Sequence, residues 1–500
     1  MSGKKMTRFL LALVVALTLV ATACAEEEEE GVVADFSASP TSGTVPLDVS
    51  FTDQSTGDIT AWEWDFENDA IVDSTVQNPS HTYDALGTYT VSLTVTGPED
   101  GDTDTKTRSK YIKTEAAPAL KIGQLNTFTG SLSYFGEAHR KAAALAVDHI
   151  NLAGDVLGMA PMTIVARDTQ TTPQVGVDAA RALVNLDKVV AVVGALSSGV
   201  TIAVANTVTI PGGILQISAA STAPGITALD DDDFLFRTTV DDAAQGVITA
   251  RLALDLGFNT ASALYINNAY GQGLAEQFET TFEAEGGTVL ALVPHEDLQA
   301  SYLSELSLAT DGNPDVLVAI SYPGQAEVYL REALEGDYIS TFLFVDGTKS
   351  AEMNETVGWD NLEGTYGTAP GVEGVTPERE AFLEAYLSAF AVELPPEPYI
   401  DTTYDAVVLI ALAAEKAGTT TDSAAIRDAL RDVANPPGEV VGPGVDGIKR
   451  ALELIRAGED INYEGAGGSH DFDENGDVFT TIEIWKIEGG EIVSVRFELP

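Results

Sequence analysis

Hydroxyl-bearing residues collect where apolar segments of this 500-residue chain end. Ser197 and Ser198 follow the run VVAVVGAL, and Ser218, Ser221 and Thr222 follow GGILQI. Hydroxyl groups and the unpaired N–H groups at a helix N-terminus both donate hydrogen bonds, so such a set can hold a small carboxylate without an arginine. Each residue alone suits an N-cap or a turn equally well. Their recurrence at segment ends favours a binding site for a small acid.

The sequence lacks the motifs that would indicate catalysis or metal binding. Its five histidines show no HExxH or similar spacing, no serine stands in GxSxG, and GQG at 271–273 lacks the third glycine of a dinucleotide fingerprint. DFDENGD at 471–477 imitates the start of an EF-hand loop, but Ile482 occupies the twelfth position and a strand-like segment follows. We interpret that segment as a tight turn, and we predict no enzyme, no cofactor and no metal site.

The charge of the chain is strongly negative, with 77 acidic and 26 basic residues and a net charge of −51. Such a chain repels nucleic acid and anionic membrane surfaces, so we exclude both as direct partners. The acidic residues are spread along the sequence, which is typical of a surface property. A saline habitat and a cationic ligand remain two alternative reasons for it.

The first residues predict export. A basic start, MSGKKMTR, precedes an apolar stretch at 9–23 that is too short for a comfortable membrane span, so residues 1–23 are read as a signal peptide. Cys24 is the only cysteine, and ATAC resembles a bacterial lipobox, which predicts a lipidated, membrane-anchored protein on the extracytoplasmic face. ATA equally suits an ordinary signal peptidase. Residues 24–31 read as an acidic tether, and one cysteine allows no intramolecular disulfide.

Residues 32–114 alternate polar and apolar residues with a period of two, which predicts a small all-β sandwich. SPTSGTVPLDVSFTDQST, WEWDFENDA and NPSHTYDALGTYTVSLTV occur in the order and spacing of a PKD domain, and the segment resembles that family. The family usually has GDG after WDF, where this chain has END. Asp65, His81 and Tyr83 are therefore interpreted as turn and core residues. The resemblance implies an extracellular spacer or an adhesion module.

Residues 120–500 alternate apolar strands with amphipathic helices. Strands made almost wholly of Val, Ile, Leu and Ala are buried on both faces, which predicts parallel sheets covered by helices. About ten such strands favour two α/β lobes over one sheet. Ligands in these sheets bind beyond the carboxyl ends of the strands, where the hydroxyl residues lie.

The motifs GALSSGVT, ISAASTAP, AYGQGLAEQF, YPGQAEVYLREAL and YDAVVLIALAAEKAG occur here in one order. With DFDENGDV they make this region similar to the leucine/isoleucine/valine-binding proteins, the type I solute-binding proteins of ABC transporters. The resemblance implies two lobes joined by three crossovers and closing on a ligand. We place lobe 1 at about 120–241 and 346–458, and lobe 2 at about 242–345 and 459–500.

The resemblance also implies which residues bind the ligand. Ser198, with Ser197 beside it, would bind the ligand carboxylate, and Ala220 and Thr222 would touch both carboxylate and ammonium. The first-loop aromatic falls on Tyr134 or Phe135. The residues assigned to the ligand are Ser197, Ser198, Ala220, Thr222, Tyr134, Tyr270, Tyr302, Gln325 and Asp346.

One departure concerns the partner of a ligand ammonium. The family's leucine-type binders place a Glu in the loop that corresponds to SYPGQAE, and Gln325 stands there. A neutral amide accepts a hydrogen bond but does not neutralise a cation. Either Asp346 or Glu327 takes this role, or the ligand has no ammonium group. An amino acid and another small acid or amide therefore both remain open.

The sequence as a whole predicts a solute-binding lipoprotein of an ABC importer that captures a small amino acid or a related compound. Its partners would be the ligand and the permease subunits. A sensory receptor that reports ligand occupancy to a separate signalling protein is one alternative. Adhesion through the PKD-like domain is another.

Overall fold

The computed structural model describes residues 31–99, 101–116, 118–158, 161–374 and 376–500. The chain divides into two compact units, Met1–Ala116 and Ala117–Pro500. The signal peptide predicted at 1–23, Cys24 and most of the predicted tether lie outside the described residues. Within the described ranges, no helix has the length and apolarity that crossing a bilayer requires.

The first unit is a β-sandwich of two sheets, as the period-two pattern predicts. One sheet has the order β1-β3-β5 and the other β2-β7-β6-β4. The strands are β1 (Phe36–Ser39), β2 (Ser42–Thr44), β3 (Leu47–Asp53), β4 (Ala61–Asp65), β5 (Ser80–Tyr83), β6 (Gly87–Thr96) and β7 (Thr103–Glu115).

Aromatic side chains fill the core of this sandwich. Trp64 is fully buried, and its indole N–H donates to the Val76 carbonyl at 2.9 Å. Asp65 accepts backbone N–H groups of the following turn, and the His81 ring lies 4.4 Å from the Phe66 ring. Tyr83 is buried and donates to the carbonyl of Phe66. These residues therefore occupy turn and core positions.

The second unit begins with a five-stranded sheet whose order is β12-β11-β10-β8-β9 and whose pairings are all parallel. This sheet and the elements packed on it are lobe 1. Its strands are β8 (Lys121–Asn126), β9 (Thr163–Asp168), β10 (Ala191–Val193), β11 (Leu215–Ser218) and β12 (Leu235–Arg237). Burial on both faces explains the continuous apolar runs.

A seven-stranded sheet of order β14-β13-β15-β16-β17-β21-β22 forms lobe 2. Its first five strands are parallel, and β21 and β22 add an antiparallel edge. The strands are β13 (Thr260–Ile266), β14 (Thr288–His295), β15 (Val316–Ile320), β16 (Phe342–Phe344), β17 (Tyr366–Pro370), β21 (Ile482–Glu488) and β22 (Glu491–Glu498). A small sheet lies between them in the chain: β18 (Glu439–Val441), β19 (Ile461–Gly465) and β20 (Gly468–Ser469).

Helices cover both sheets. Lobe 1 carries α1 (Ser133–Ala153), α2 (Pro173–Ala182), α3 (Ser198–Val204), α4 (Ile210–Gly212), α11 (Pro377–Phe390), α12 (Ile400–Ala417), α13 (Ser423–Asp428), α14 (Leu430–Ala434) and α15 (Gly444–Arg456). Lobe 2 carries α5 (Asp242–Asp255), α6 (Ala269–Ala284), α7 (Leu303–Ala309), α8 (Pro323–Glu335), α9 (Met353–Thr356) and α10 (Trp359–Leu362). Short π and 3₁₀ turns are Val156–Gly158, Leu183–Asp187, Ala205–Thr209 and Asp346–Thr348.

The lobe boundaries differ from the predicted ones at two of the three crossovers. Strand β17 pairs with β16 and β21, so lobe 2 continues past 346 to Pro370. Ile461 and Tyr463 of β19 are buried in the lobe 1 core, so lobe 1 continues past 458. Contacts between segments far apart in the sequence set both lobe boundaries, and the local sequence pattern does not reveal such contacts. The crossovers lie near 238–241, 371–376 and 478–481.

Candidate functional site

Two neighbouring strands of lobe 1 deliver the hydroxyl residues to one place. Strands β10 and β11 are parallel and paired, with Val193 opposite Ile217, so the loops after them lie side by side. Ser198, at the start of α3, is 2% exposed, and its hydroxyl oxygen accepts the N–H of Ala223 at 3.2 Å. This bond joins the two loops and leaves the hydroxyl proton of Ser198 for a further acceptor.

Two of the predicted hydroxyls hold this loop pair together. Ser218 and Ser221 donate to the carbonyl of Ala195, at 2.8 and 3.1 Å. Ser197 is buried beside them as the residue before α3. These contacts fix the backbone on which Ser198 is placed.

Thr222 ends the second loop. Its carbonyl accepts the N–H of Asp242 at 2.7 Å, which connects the loop to the start of α5. Its hydroxyl is buried and lies beside the carboxyl of Asp242, without a hydrogen bond of ordinary geometry within the described ranges. At the other end of the same loop, the hydroxyl of Thr402 donates to the carbonyl of Ala219 at 2.9 Å. Both ends of the loop are thus anchored, while the Thr222 hydroxyl keeps its bonding capacity.

A buried carboxylate faces these loops from lobe 2. Asp346 follows β16 and is 4% exposed. One oxygen accepts the hydroxyl of Tyr270 at 2.7 Å and the amide of Gln245 at 3.0 Å, and the other accepts the hydroxyl of Tyr399 at 2.7 Å. A side chain at Gly347 would lie 2.7 Å from the Tyr270 hydroxyl oxygen, so glycine there allows this approach.

Burial and hydrogen bonding act in opposite directions on Asp346. Removal from water raises the pKa of its carboxyl above the ordinary value, because the charged form loses hydration. The hydrogen bonds from Tyr399, Tyr270 and Gln245 favour the charged form and limit that rise in pKa. Burial beside this carboxyl raises the pKa of Tyr270 and Tyr399 as well, so both stay protonated donors.

A cavity between the lobes joins these groups. Lobe 1 contributes apolar walls and the Ser198 hydroxyl, and lobe 2 contributes Asp346 between aromatic rings. Tyr270 and Tyr322 stack with ring centroids 5.7 Å apart. The lining residues are Leu132, Phe135, His139, Leu196, Ser198, Ala220, Tyr270, Tyr322, Asp346, Gly347, Pro398 and Tyr399.

His139 is the basic group in this lining. Burial lowers the pKa of His139 to about 4, so the ring is neutral near pH 7. Its Nδ1 lies 2.6 Å from the hydroxyl of Thr403, which fixes the ring. Asp346 is therefore the acidic group that a ligand in this lining would meet.

Some residues that the sequence assigned to the ligand lie elsewhere. Tyr302 packs in the lobe 2 core against His295, with ring centroids 5.1 Å apart. Gln325 donates its amide to Asp297, outside the cavity lining. The hydroxyl of Tyr134 bonds to Glu397, and its neighbour Phe135, the other first-loop candidate, lines the cavity.

Of the two alternatives for the ammonium partner, Asp346 lies in the cavity lining and Glu327 does not. Glu327 accepts the hydroxyl of Thr356 at 2.8 Å, on helix α8 and away from the lining. Asp346 stands in the lining itself.

Sequence analysis missed three residues around Asp346. Tyr322 stands at the end of β15, where the strand-end rule would have found it. Tyr399 precedes α12 and Gln245 lies within α5, and neither position carries a strand-end signal. Their proximity to Asp346 follows from the way the lobes pack.

Metal binding has no support in the described parts of the chain, where no three His, Cys, Asp or Glu side chains converge as ligands would. In the EF-hand-like segment, Asp473 accepts the N–H groups of Asn475 and Asp477. Asp477 accepts Nε of the buried Arg237 at 2.6 Å. The acidic segment is thus a turn held by an arginine.

A periplasmic binding protein family model matches residues 119–473, and a PKD domain model matches residues 30–113. The substrate-binding protein BasB of the chemotactic signal transduction system of Halobacterium salinarum is 29% identical over 364 residues, which cover 71% of this chain and 84% of BasB. The Leu/Ile/Val-binding protein BraC3 of Rhizobium johnstonii is 29% identical over 318 residues, covering 63% and 83%.

Solved structures share the fold. The leucine-binding protein LivK of Thermotoga maritima has a TM-score of 0.65 at 24% identity, covering 76% of this chain and 99% of that chain. LivJ of Streptococcus pneumoniae, in complex with isoleucine, has a TM-score of 0.64 at 24% identity, covering 77% and 100%. Because the family model spans both lobes around the cavity, this chain belongs to the periplasmic binding protein family.

Proposed function

We propose that this protein is an extracytoplasmic receptor that captures a small α-amino acid with an aliphatic side chain and presents it to an ABC permease. The observation that carries the proposal is Asp346, a buried carboxylate held by three donors in a cavity with apolar walls. A buried anion in such a place needs a cationic partner, and an α-ammonium group supplies both charge and donors.

The carboxylate of the same ligand would bind on the lobe 1 side. The Ser198 hydroxyl and the unbonded Thr222 hydroxyl can both donate, and Ala220 leaves room for close approach of the backbone. Ser197 and its backbone support this loop. A zwitterion would thus place opposite charges on opposite lobes, so binding favours the closed arrangement.

The walls favour an apolar side chain. Leu132, Phe135 and Leu196 supply aliphatic and aromatic surface, and Tyr322 stacks behind Tyr270. Aromatic walls provide apolar area at little entropic cost. BraC3 and LivJ are named as branched-chain amino acid binders, which agrees with this ligand class.

Signalling is the second candidate function. BasB is named as a chemotactic substrate-binding protein, and at the same 29% identity it matches more of this chain than BraC3 does, 71% against 63%. The same closed, liganded form would serve a permease or a transducer. Ligand-dependent co-purification with permease subunits would support import, and ligand-dependent co-purification with a membrane transducer would support signalling.

The remaining segments fit a protein held at the membrane. Cys24, which lies outside the described residues, is the proposed lipidation site. The PKD domain would act as a spacer between that anchor and the binding unit. Adhesion becomes the better reading of this domain if the isolated domain binds glycan or cell-wall material.

Isothermal titration calorimetry with leucine, isoleucine and valine tests the proposal. We expect binding by the wild-type protein and a loss of at least about 100-fold in Asp346→Asn, because a buried charged pair is broken. Glu327→Gln is the matched control, since it neutralises a half-buried lobe 2 carboxyl outside the lining and should keep wild-type affinity. Unchanged affinity in Asp346→Asn would refute an α-ammonium partner.

A further inference from the structure

A second buried carboxyl lies behind the cavity and has no role in the site described so far. Asp242 is the first residue of α5 and is fully buried. Its two oxygens make no hydrogen bond of ordinary geometry within the described ranges, although the Thr222 hydroxyl lies close enough to favour the charged form. A buried ionised carboxylate without donors is among the most costly arrangements in a protein interior.

Asp242 is linked to both halves of the ligand site. Its N–H donates to the carbonyl of Thr222 at 2.7 Å, on the side where the ligand carboxylate is proposed to bind. Three residues further along α5, Gln245 donates to Asp346 at 3.0 Å. Residues three apart share a helix face, so Asp242 and Gln245 point toward the same region.

The charged and titratable groups around Asp242 come from five elements. Asp346 and Asp241 oppose a negative charge on Asp242, and Arg237 favours it. Tyr270 and Tyr399 also face it. The guanidinium of Arg237 directs its N–H groups to Asp477, Thr227 and the carbonyls of Ser221 and Ala223.

Hydrogen bonding decides which carboxyl carries a proton. Asp346 receives three donors, whereas Asp242 has only weak hydrogen-bond support, from the Thr222 hydroxyl, within the described ranges. Two carboxylates that share a dry site do not both ionise readily, and the proton goes to the one with less support. Burial and the nearby Asp346 accordingly raise the pKa of Asp242 well above its usual range.

A proton on Asp242 also supplies a hydrogen-bond donor to buried oxygen atoms nearby. The side-chain oxygen of Gln245 is a buried acceptor without a donor among the described residues, and the Thr222 hydroxyl is likewise unbonded. A protonated carboxyl supplies one O–H donor, which either of these oxygens can accept. An ionised Asp242 would only add two more acceptors.

We propose that Asp242 is a proton-bearing residue behind the ligand cavity, outside its lining, which keeps the buried charge beside the cavity at one negative unit and so admits a ligand carboxylate beside Thr222. This inference rests on the proposed amino-acid ligand. With Asp242 neutral, Asp346 meets the ammonium and no anion opposes the carboxylate. With Asp242 ionised, the carboxylate would bind next to a like charge.

Two measurements on the full chain test this inference. Infrared difference spectra at pH 7 between the wild type and Asp242→Asn should contain the carbonyl band of a protonated carboxylic acid, because the substitution removes that group. The difference between wild type and Glu327→Gln provides a matched comparison for another buried acid. Absence of the band from the Asp242→Asn difference would overturn the inference.

Leucine affinity at pH 7 gives the second measurement. Asp242→Asn replaces a neutral acid with a neutral amide of similar shape and donor capacity, so we expect affinity within about threefold of wild type. A tenfold loss would mean that Asp242 is an ionised partner of the ammonium, and a tenfold gain would mean that it repels the carboxylate. Both results would overturn the inference.

The two proposals fail in distinguishable ways. If the wild type binds no amino acid, the proposed function fails, and the infrared band still decides whether Asp242 holds a proton. If leucine binds and Asp346→Asn abolishes binding, the ligand class stands, and Asp242→Asn alone decides the present inference.

Discussion

Asp346 and Asp242 lie in one buried region, and their neighbours favour a charged carboxylate on Asp346 and a protonated carboxyl on Asp242. Asp346 is surrounded by the hydroxyls of Tyr270 and Tyr399 and by the amide of Gln245, which together stabilise a charge. Asp242 lies near the same residues, but in the described part of the chain only the Thr222 hydroxyl gives its charge hydrogen-bond support. The residue type therefore does not determine the charge, and the arrangement of donors does.

This difference predicts a pH dependence of stability. Because the folded-state pKa of Asp242 is raised, the folded protein keeps a proton there that the unfolded chain releases above about pH 4. The free energy of unfolding should therefore fall as pH rises from about 4 toward the folded-state pKa, by up to about 1.4 kcal/mol per pH unit from this group. Asp242→Asn removes that contribution.

Urea unfolding of both proteins at about pH 5 and pH 7 checks this prediction. Titrating groups far from Asp242 are common to both proteins, so their contributions cancel in the comparison. We expect Asp242→Asn to become progressively more stable than wild type as pH rises. A constant difference between the two proteins would contradict a raised pKa at Asp242.

At the scale of elements, strand ends were the most informative part of the sequence. Parallel strands buried on both faces end at one edge, which is why Ser198 and Thr222 of lobe 1 could be placed together, whereas Ala220 and Asp346 were assigned through the family resemblance. Tyr399 could not be placed in this way, because it reaches Asp346 only through the packing of α12. Gln325 was assigned to the ligand because it stands where the family's leucine-type binders have a Glu, but in the structure it donates to Asp297.

The contact of Gln325 with Asp297 suggests a role in lobe closure. The other oxygen of Asp297, after β14 in lobe 2, accepts the hydroxyl of Ser131 of lobe 1 at 3.1 Å. Gln325 fixes the carboxylate of Asp297, and Ser131 reaches it from the other lobe. The three residues therefore form a latch at the edge of the cleft.

Removing the latch should speed ligand release. Ser131→Ala deletes one hydrogen bond between lobes, worth about 0.5–1.5 kcal/mol, so we expect the dissociation rate constant to rise by about 2- to 10-fold with little change in the association rate constant. Stopped-flow fluorescence measures both. Thr129→Ala is the matched control, because that hydroxyl bonds to Asp168 within lobe 1, at 2.6 Å. Equal rates in Ser131→Ala and wild type would exclude the latch.

At the scale of the whole molecule, the division at residues 116 and 117 separates two units with their own cores. Ligand chemistry is confined to the second unit, since every lining residue of the cavity lies beyond 117. Deleting residues 26–114 should therefore leave the dissociation constant for leucine unchanged within about twofold, as calorimetry can measure. A large loss would mean that the PKD domain contributes to binding.

The net charge of −51 is a property of the whole molecule. Carboxylates that repel one another across the surface destabilise the compact state, and salt screens them, with a Debye length of about 10 Å at 0.1 M and about 3 Å at 1 M. We therefore expect the melting temperature to rise by about 5 °C between these KCl concentrations at pH 7.

The same experiment near pH 4 separates screening from a general salt effect. Many surface carboxylates are protonated there, so less repulsion remains to be screened and the rise should shrink. Salts that strengthen apolar burial act at either pH, because apolar surface does not titrate. A rise of equal size at both pH values would therefore assign the salt effect to the hydrophobic core instead of the acidic surface.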